Sequence, residues 1–105
     1  MQIRIYYHDT DCGGVVYYAN YLKYLEQART EALEQKGIFM KDLIAAGNFF
    51  VVSRQEVDYK SPAVYDDLLD VATRISEITG VRIIFENEIK NQAGKLIIKA
   101  KTTLV

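Results

Sequence analysis

Asn20-Tyr21-Leu22-Lys23-Tyr24-Leu25-Glu26-Gln27-Ala28-Arg29-Thr30-Glu31-Ala32-Leu33-Glu34-Gln35-Lys36-Gly37 decides how the chain folds. At 100° per residue, Tyr21, Leu22, Leu25, Ala28, Ala32 and Leu33 fall on one side. Lys23, Glu26, Gln27, Glu31 and Glu34 fall on the other side or at its margins. The spacing predicts one amphipathic helix over 19–36, about 27 Å long at 1.5 Å per residue. Asn20 suits the N-cap, where its side chain can accept from amides of the first turn. Gly37 suits the stop, because it tolerates the left-handed backbone on which helices end.

Outward from this helix the period is two. Residues 2–7, rich in Ile and Tyr, read as a short strand, and His8 to Gly14 as a polar loop ending in glycine. Residues 38–46 hold room for one more helical turn. Beyond them Phe49, Val51, Ser53, Gln55, Val57 and Tyr59 alternate with Phe50, Val52, Arg54, Glu56 and Asp58. Similar alternation runs over 69–76, 81–90 and 95–104. Thr79-Gly80 and Asn91-Gln92-Ala93-Gly94 are hairpin-type links, whereas Lys60 to Asp67, with the only proline, is a wider connection. Short links make antiparallel neighbours. Each late strand has one apolar and one mainly polar face, as in a sheet covered on one side. The helix is the available cover, so the fold class is α+β, one antiparallel sheet wrapped around one long helix in a single domain over 1–105.

Composition excludes several functions. The 105 residues are half hydrophobic and about a quarter charged, with 13 Lys plus Arg against 14 Asp plus Glu. About two-thirds of the unfolded surface can be buried at this size, and no second domain fits. No basic stripe suggests nucleic acid; Lys95, Lys99 and Lys101 read as a solvated strand face. The longest apolar stretch, Leu43 to Val52, is interrupted by Gly47 and Asn48 and falls short of the roughly 18 residues of a membrane span. No signal peptide is visible at the start. One cysteine is in keeping with a reducing compartment, and a cytoplasmic location is expected.

Chemistry concentrates in Tyr6-Tyr7-His8-Asp9-Thr10-Asp11-Cys12-Gly13-Gly14-Val15-Val16-Tyr17-Tyr18-Ala19-Asn20-Tyr21. Two carboxylates, the only His and the only Cys lie within five residues, and six of the eight tyrosines within the first 24. The glycines lead into a helix N-terminus, whose free amides and positive dipole end can hold an oxyanion beside a carboxylate base or nucleophile. A His8–Cys12 nucleophile pair has nothing to orient the base. Zinc sites use three or four ligands dominated by His and Cys, and this chain has one of each. Asp9-x-Asp11 is similar to the phosphoryl-transfer pair of haloacid-dehalogenase-like enzymes, whose parallel α/β domains are too large for this chain. No G-x-S-x-G elbow or phosphate loop is present. The plain alternative is that Asp9 and Asp11 are turn residues and that the tyrosines are core.

The run from Tyr6 to Ala32, with Asp9-Thr10-Asp11, Gly14-Val15-Val16-Tyr17, Ala19-Asn20-Tyr21 and Glu26-Gln27-Ala28-Arg29-Thr30-Glu31, resembles hotdog-fold acyl-CoA thioesterases of the 4-hydroxybenzoyl-CoA-thioesterase type, most closely the bacterial branch associated with the Tol-Pal system. A second match is Val57-Asp58-Tyr59, Pro62-Ala63 and Asp66-Asp67 with Leu69 and Val71. The resemblance implies a five-stranded sheet around the helix, a homodimer or homotetramer with sites at subunit interfaces, and an acyl-CoA substrate. It implies that Asp11 is the catalytic carboxylate and Asp9 its support, and that Tyr7 lines the site. The thioester carbonyl is then expected against backbone amides around Tyr17 and Tyr18. It implies no metal and no cofactor, coenzyme A being part of the substrate.

Two departures stand out. Tyr18 occupies a position that is often His in this branch, so any imidazole role there is lost. Relatives also carry a short tail past the last strand, whereas this sequence ends at Val105, so contacts of such a tail with coenzyme A or a neighbouring subunit are expected to be absent or different. Asp11 would activate a water or attack directly, its basicity raised by desolvation. Glu26 and Arg29, one helical turn apart, can pair, and Arg29 falls within the apolar arc; they anchor the helix or touch substrate. Cys12 reads as a small loop filler. Two rivals remain: a hotdog dehydratase, for which His8 is out of position, and a non-catalytic acyl-CoA-binding module.

Overall fold

The computed structural model describes residues 1–105. The elements run β1 (Gln2–Arg4), α1 (Asn20–Gln35), α2 (Met40–Ala45), β2 (Val52–Tyr59), β3 (Leu68–Ile78), β4 (Ile83–Lys90) and β5 (Leu96–Leu104), with a single 3-10 turn at Tyr7–Asp9. All five strands form one antiparallel sheet in the order β1-β3-β4-β5-β2. The expected α+β architecture is present, and the two hairpins join β3 to β4 and β4 to β5.

α1 lies on the sheet through Tyr21, Tyr24, Leu25, Ala28, Arg29 and Leu33. Its first half packs into a cluster with Leu69, Val71, Ile89 and Ile98. Its last turn meets Ile83, Phe85 and Leu104 in a second cluster. Gly37 adopts φ 80°, and the amides of Gly37 and Ile38 bond back to Glu34 and Leu33. This is the Schellman arrangement, with Ile38 packed against the second cluster.

Three expectations change. The first strand stops at Arg4, because the carboxylate of Asp9 accepts from the Tyr6 amide and curls the chain into the 3-10 turn. Asn20 is the first helical residue and Ala19 the cap; the Asn20 amide group donates sideways to the Asp9 carbonyl, 3.0 Å away. Leu22 is exposed while Tyr24 is buried. Arg29, on the same flank as Leu22, reaches Thr102 of β5, so Leu22 looks toward the β2 edge, where its own chain offers no cover.

Candidate active site

Asp9 organises the loop before α1. Its carboxylate accepts from the Tyr6 amide at 2.9 Å. Its carbonyl accepts from the Tyr17 amide at 2.9 Å and from the Asn20 side chain. The loop is thus tied to both ends of the turn and to the helix. Tyr24 comes up from α1 beneath it. Its buried hydroxyl lies beside Asp9 and Asn20 without completing a hydrogen bond of ordinary geometry. Burial first, and the Asp9 charge second, push the Tyr24 phenol well above the usual tyrosine range.

Asp11 is exposed at the tip of the loop. One carboxylate oxygen accepts from the Gly13 amide at 2.8 Å, and its backbone bonds to Val15 and Gly14. A side chain at Gly13 would meet this oxygen at 3.2 Å, and Gly14 sits at φ 78°, where an L side chain is strained. The glycine pair therefore shapes the turn that presents the carboxylate. Val15 and Val16 then bridge to Val64 and Thr10, and the Val16 amide bonds to Ala63, which pins the exit of the loop.

Of the two amides expected at the helix start, Tyr17's is taken by the Asp9 carbonyl. Those of Tyr18 and Ala19 bond to nothing in the chain. They are the unsatisfied donors that any helix start leaves, at the positive end of the α1 dipole. An acyl oxygen can be received there.

A shallow cleft of ≈ 340 Å³ opens beside this point, walled by Val15, Val16, Tyr18, Tyr21, Tyr59 and Pro62. Tyrosines form an edge-contacting series along it, with Tyr18 on Tyr59, Tyr59 on Tyr21, and Tyr21 on Tyr24. The Tyr21 hydroxyl accepts from the Ala63 amide, and burial raises its pKa. Tyr59 donates to the Tyr18 carbonyl at 3.3 Å. The Tyr17 ring stacks obliquely on Tyr18, and its phenol is raised by that neighbour and, to a lesser degree, by Asp11.

The remaining candidates are dispersed. Tyr7 is exposed and packs edge-on against Tyr65, outside the cleft. His8 stacks on Tyr6 and lies 3.7 Å from Asp9, while Cys12 is exposed; no His8–Cys12 pair is assembled. Glu26 and Arg29 do not pair. Glu26 accepts from Thr30, and Arg29, only 8% exposed, turns under the helix to Thr102. Burial lowers the Arg29 pKa. Arg29 thus anchors the helix through the sheet instead of through Glu26. No three His, Cys, Asp or Glu side chains converge as a metal site would require. Tyr21, Tyr59 and Pro62 are site residues that the sequence did not single out for a role, although the second matched segment contains Tyr59 and Pro62. A second depression, of ≈ 380 Å³, lies on the outer face of the sheet among Arg74, Glu86, Glu88 and Lys99. Asp11 is not among its walls, and its Arg74 and Glu86 form an ion pair.

The sequence profile of the thioesterase superfamily matches residues 13–98. The acyl-CoA thioester hydrolase YbgC of Escherichia coli O6:H1 is 39% identical over 103 residues, covering 98% of this chain and 77% of the relative. The acyl-CoA thioesterase YbgC of Haemophilus influenzae is 44% identical over 88 residues, covering 83% of this chain and 65% of that one. Among solved structures, a probable thioesterase from Bartonella henselae superposes with a TM-score of 0.91 at 37% identity, covering 100% of this chain and 87% of the other.

Proposed function

The chain belongs to the thioesterase superfamily, and from that membership we propose that it hydrolyses an acyl-CoA thioester to the free acid and coenzyme A, with Asp11 as the catalytic residue. The observation that carries this is a carboxylate-bearing turn whose backbone is tied to Val15 of an apolar cleft wall and which leads directly into a helix start with two unpaired amides.

The acyl group enters the cleft along Tyr18 and Tyr59, and the thioester oxygen is received by the amides of Tyr18 and Ala19. These donors strengthen as negative charge develops on that oxygen. In a studied protease, removing one such donor slows turnover roughly a hundred- to a thousand-fold. Asp11 supplies the other half of the reaction. Either it takes a proton from a water that attacks the carbonyl carbon, and the tetrahedral intermediate expels the thiolate of coenzyme A, or its own oxygen attacks and expels that thiolate, and water then hydrolyses the mixed anhydride to the free acid and the regenerated Asp11 carboxylate. The Gly13 hydrogen bond leaves the second carboxylate oxygen of Asp11 free for this role. Asp9 holds the loop. The chemistry calls for no metal or cofactor beyond the coenzyme A of the substrate.

Asp11 is exposed in the single chain, and a second subunit covering it would supply the desolvation that makes a carboxylate more basic. A homodimer, or a tetramer of two such dimers, is accordingly part of the proposal, as is a cytoplasmic location. No helix is long and apolar enough to cross a membrane.

The test is thiol release over short, long and aromatic acyl-CoAs by the wild type and by Asp11→Asn. Asparagine keeps the acceptor for Gly13 and loses the charge. Fold and assembly should persist while turnover falls about a hundredfold or more. Wild-type turnover by a folded Asp11→Asn would overturn the assignment. An enoyl product without thiol would favour a dehydratase, and tight binding without turnover a binding module.

A further inference from the structure

Tyr24 is 6% exposed, and its hydroxyl is one of two buried side-chain atoms left without a hydrogen-bond partner. Such a hydroxyl keeps its desolvation cost uncompensated. The ring alone accounts for the packing. It meets Tyr21 edge-on, with centroids 6.0 Å apart, inside the main cluster, and a phenylalanine would fill that seat without the cost. The oxygen is explained by what stands over it.

Asp9 stands over it. The Asp9 carbonyl accepts from the Tyr17 amide and the Asn20 side chain. One carboxylate oxygen, Oδ2, accepts from the Tyr6 amide. The other, Oδ1, is left with the exposed His8 ring, whose Nε2 is 3.7 Å away. Burial and the Asp9 charge hold the phenol beneath in its protonated form, so toward a carboxylate it acts only as a donor. A donor and an acceptor thus stand side by side, without a bond of ordinary geometry, at the root of the turn that carries Asp11.

Asp9 sets two positions at once. Asp11 follows it in the same turn, and the Tyr17 amide bonded to its carbonyl precedes the free amides of Tyr18 and Ala19. A shift of Asp9 therefore moves the carboxylate relative to the oxyanion donors. A misplacement of about 1 Å caused far from the chemistry can slow a reaction about a hundredfold. Hydrogen bonds that are long or poorly aligned in a free enzyme tighten in the complex, as water leaves the closing site.

We propose that Tyr24 is a positioning residue: its hydroxyl closes on Oδ1 of Asp9 when acyl-CoA fills the cleft, and so fixes Asp11 against the amides of Tyr18 and Ala19. The hydroxyl donates, and no proton is transferred. The strength of the bond goes into ordering the turn, so it shows in turnover more than in binding. This role rests on the thioesterase reading.

Tyr24→Phe keeps the ring and removes one oxygen. It should melt at or above the wild-type temperature, because the free protein loses no bond. With the preferred acyl-CoA, kcat should fall about tenfold or more while KM stays within about twofold. In an Asp9→Ala background the same substitution should change kcat by less than about twofold, because the two side chains act as one unit. Wild-type kcat in Tyr24→Phe overturns the role. So does a clear drop in its melting temperature, which shows that the hydroxyl is already bonded in the free protein and serves stability. An undiminished loss of kcat in the Asp9→Ala background shows that the hydroxyl acts through another group, and overturns it too. Absence of thiol release by the wild type, measured before any variant, defeats the thioesterase reading itself.

Discussion

Replacing Asp9 by alanine tests the frame that holds the site. The side chain makes one charge-assisted bond, to the Tyr6 amide at 2.9 Å, and its side chain is 16% exposed, so solvent screens it little. Hydrogen bonds to charged groups contribute about 1.5–3 kcal/mol. Tyr6 itself is half-exposed, and its freed amide can bind water, which brings the expected loss to about 1–2 kcal/mol. For a domain of this size each kcal/mol moves Tm by roughly 4–8 °C, so the variant should melt about 4–16 °C lower. Asp9→Asn keeps an acceptor and should lose less than half as much. The Asp9 carbonyl remains, but the turn it belongs to loosens, so the Tyr17 and Asn20 contacts weaken. Turnover should therefore fall more than KM rises. A second readout belongs to Tyr24, whose phenol is raised by burial and then by the Asp9 charge. In Asp9→Ala its titration should move back toward the ordinary value, seen as phenolate absorbance at lower pH. If Asp9→Ala melts with the wild type and its tyrosines titrate identically, Asp9 is not the hub of this loop.

Leu25→Ala empties a fully buried position in the main cluster and should lower stability by about 2–5 kcal/mol, read by chemical denaturation; a loss below 1 kcal/mol would mean that the helix seat repacks. Gly14→Ala forces a side chain into φ 78° and should destabilise by about 1–2 kcal/mol while slowing thiol release through the Asp11 turn; unchanged kinetics would show that the turn tolerates distortion. The phenols of Tyr21 and Tyr24 are both raised above their usual 10.0 by burial. The folded state then holds protons that the unfolded state releases, so stability is fully present below pH 10 and is lost as pH rises through the folded values. Denaturation midpoints that stay flat above pH 10 would contradict this.

Much of the architecture was legible in the chain. The 3.6 period of 20–35 and the period of two after 52 are local properties, written in which residues are apolar. Gly37 as the helix stop followed from the conformation only glycine adopts cheaply. Asn20 as cap did not hold, because its amide found a tertiary partner in the Asp9 carbonyl. The Glu26–Arg29 pair failed for a similar reason. Spacing allows it, but the sheet below offered Arg29 a buried seat at Thr102, and helix periodicity does not say what lies beneath an arc.

The site divides along the same line. The grouping of Asp9, Asp11 and the glycines before a helix start is a matter of adjacent residues, so its chemistry could be read from order alone. Two other things depend on segments about thirty to forty-five residues apart: the seating of Tyr59 and Pro62 opposite Tyr18, and the exposure of Leu22 beside the open edge of β2. The loss of the Tyr17 amide as a free donor depends on the loop folding back on its own Asp9 carbonyl, which residue order does not state either. Strand order is set by which edges meet once the apolar faces have collapsed on the helix. Local patterning states which face of each strand is buried, and only the packed whole determines which strand is its neighbour and which edge is left open.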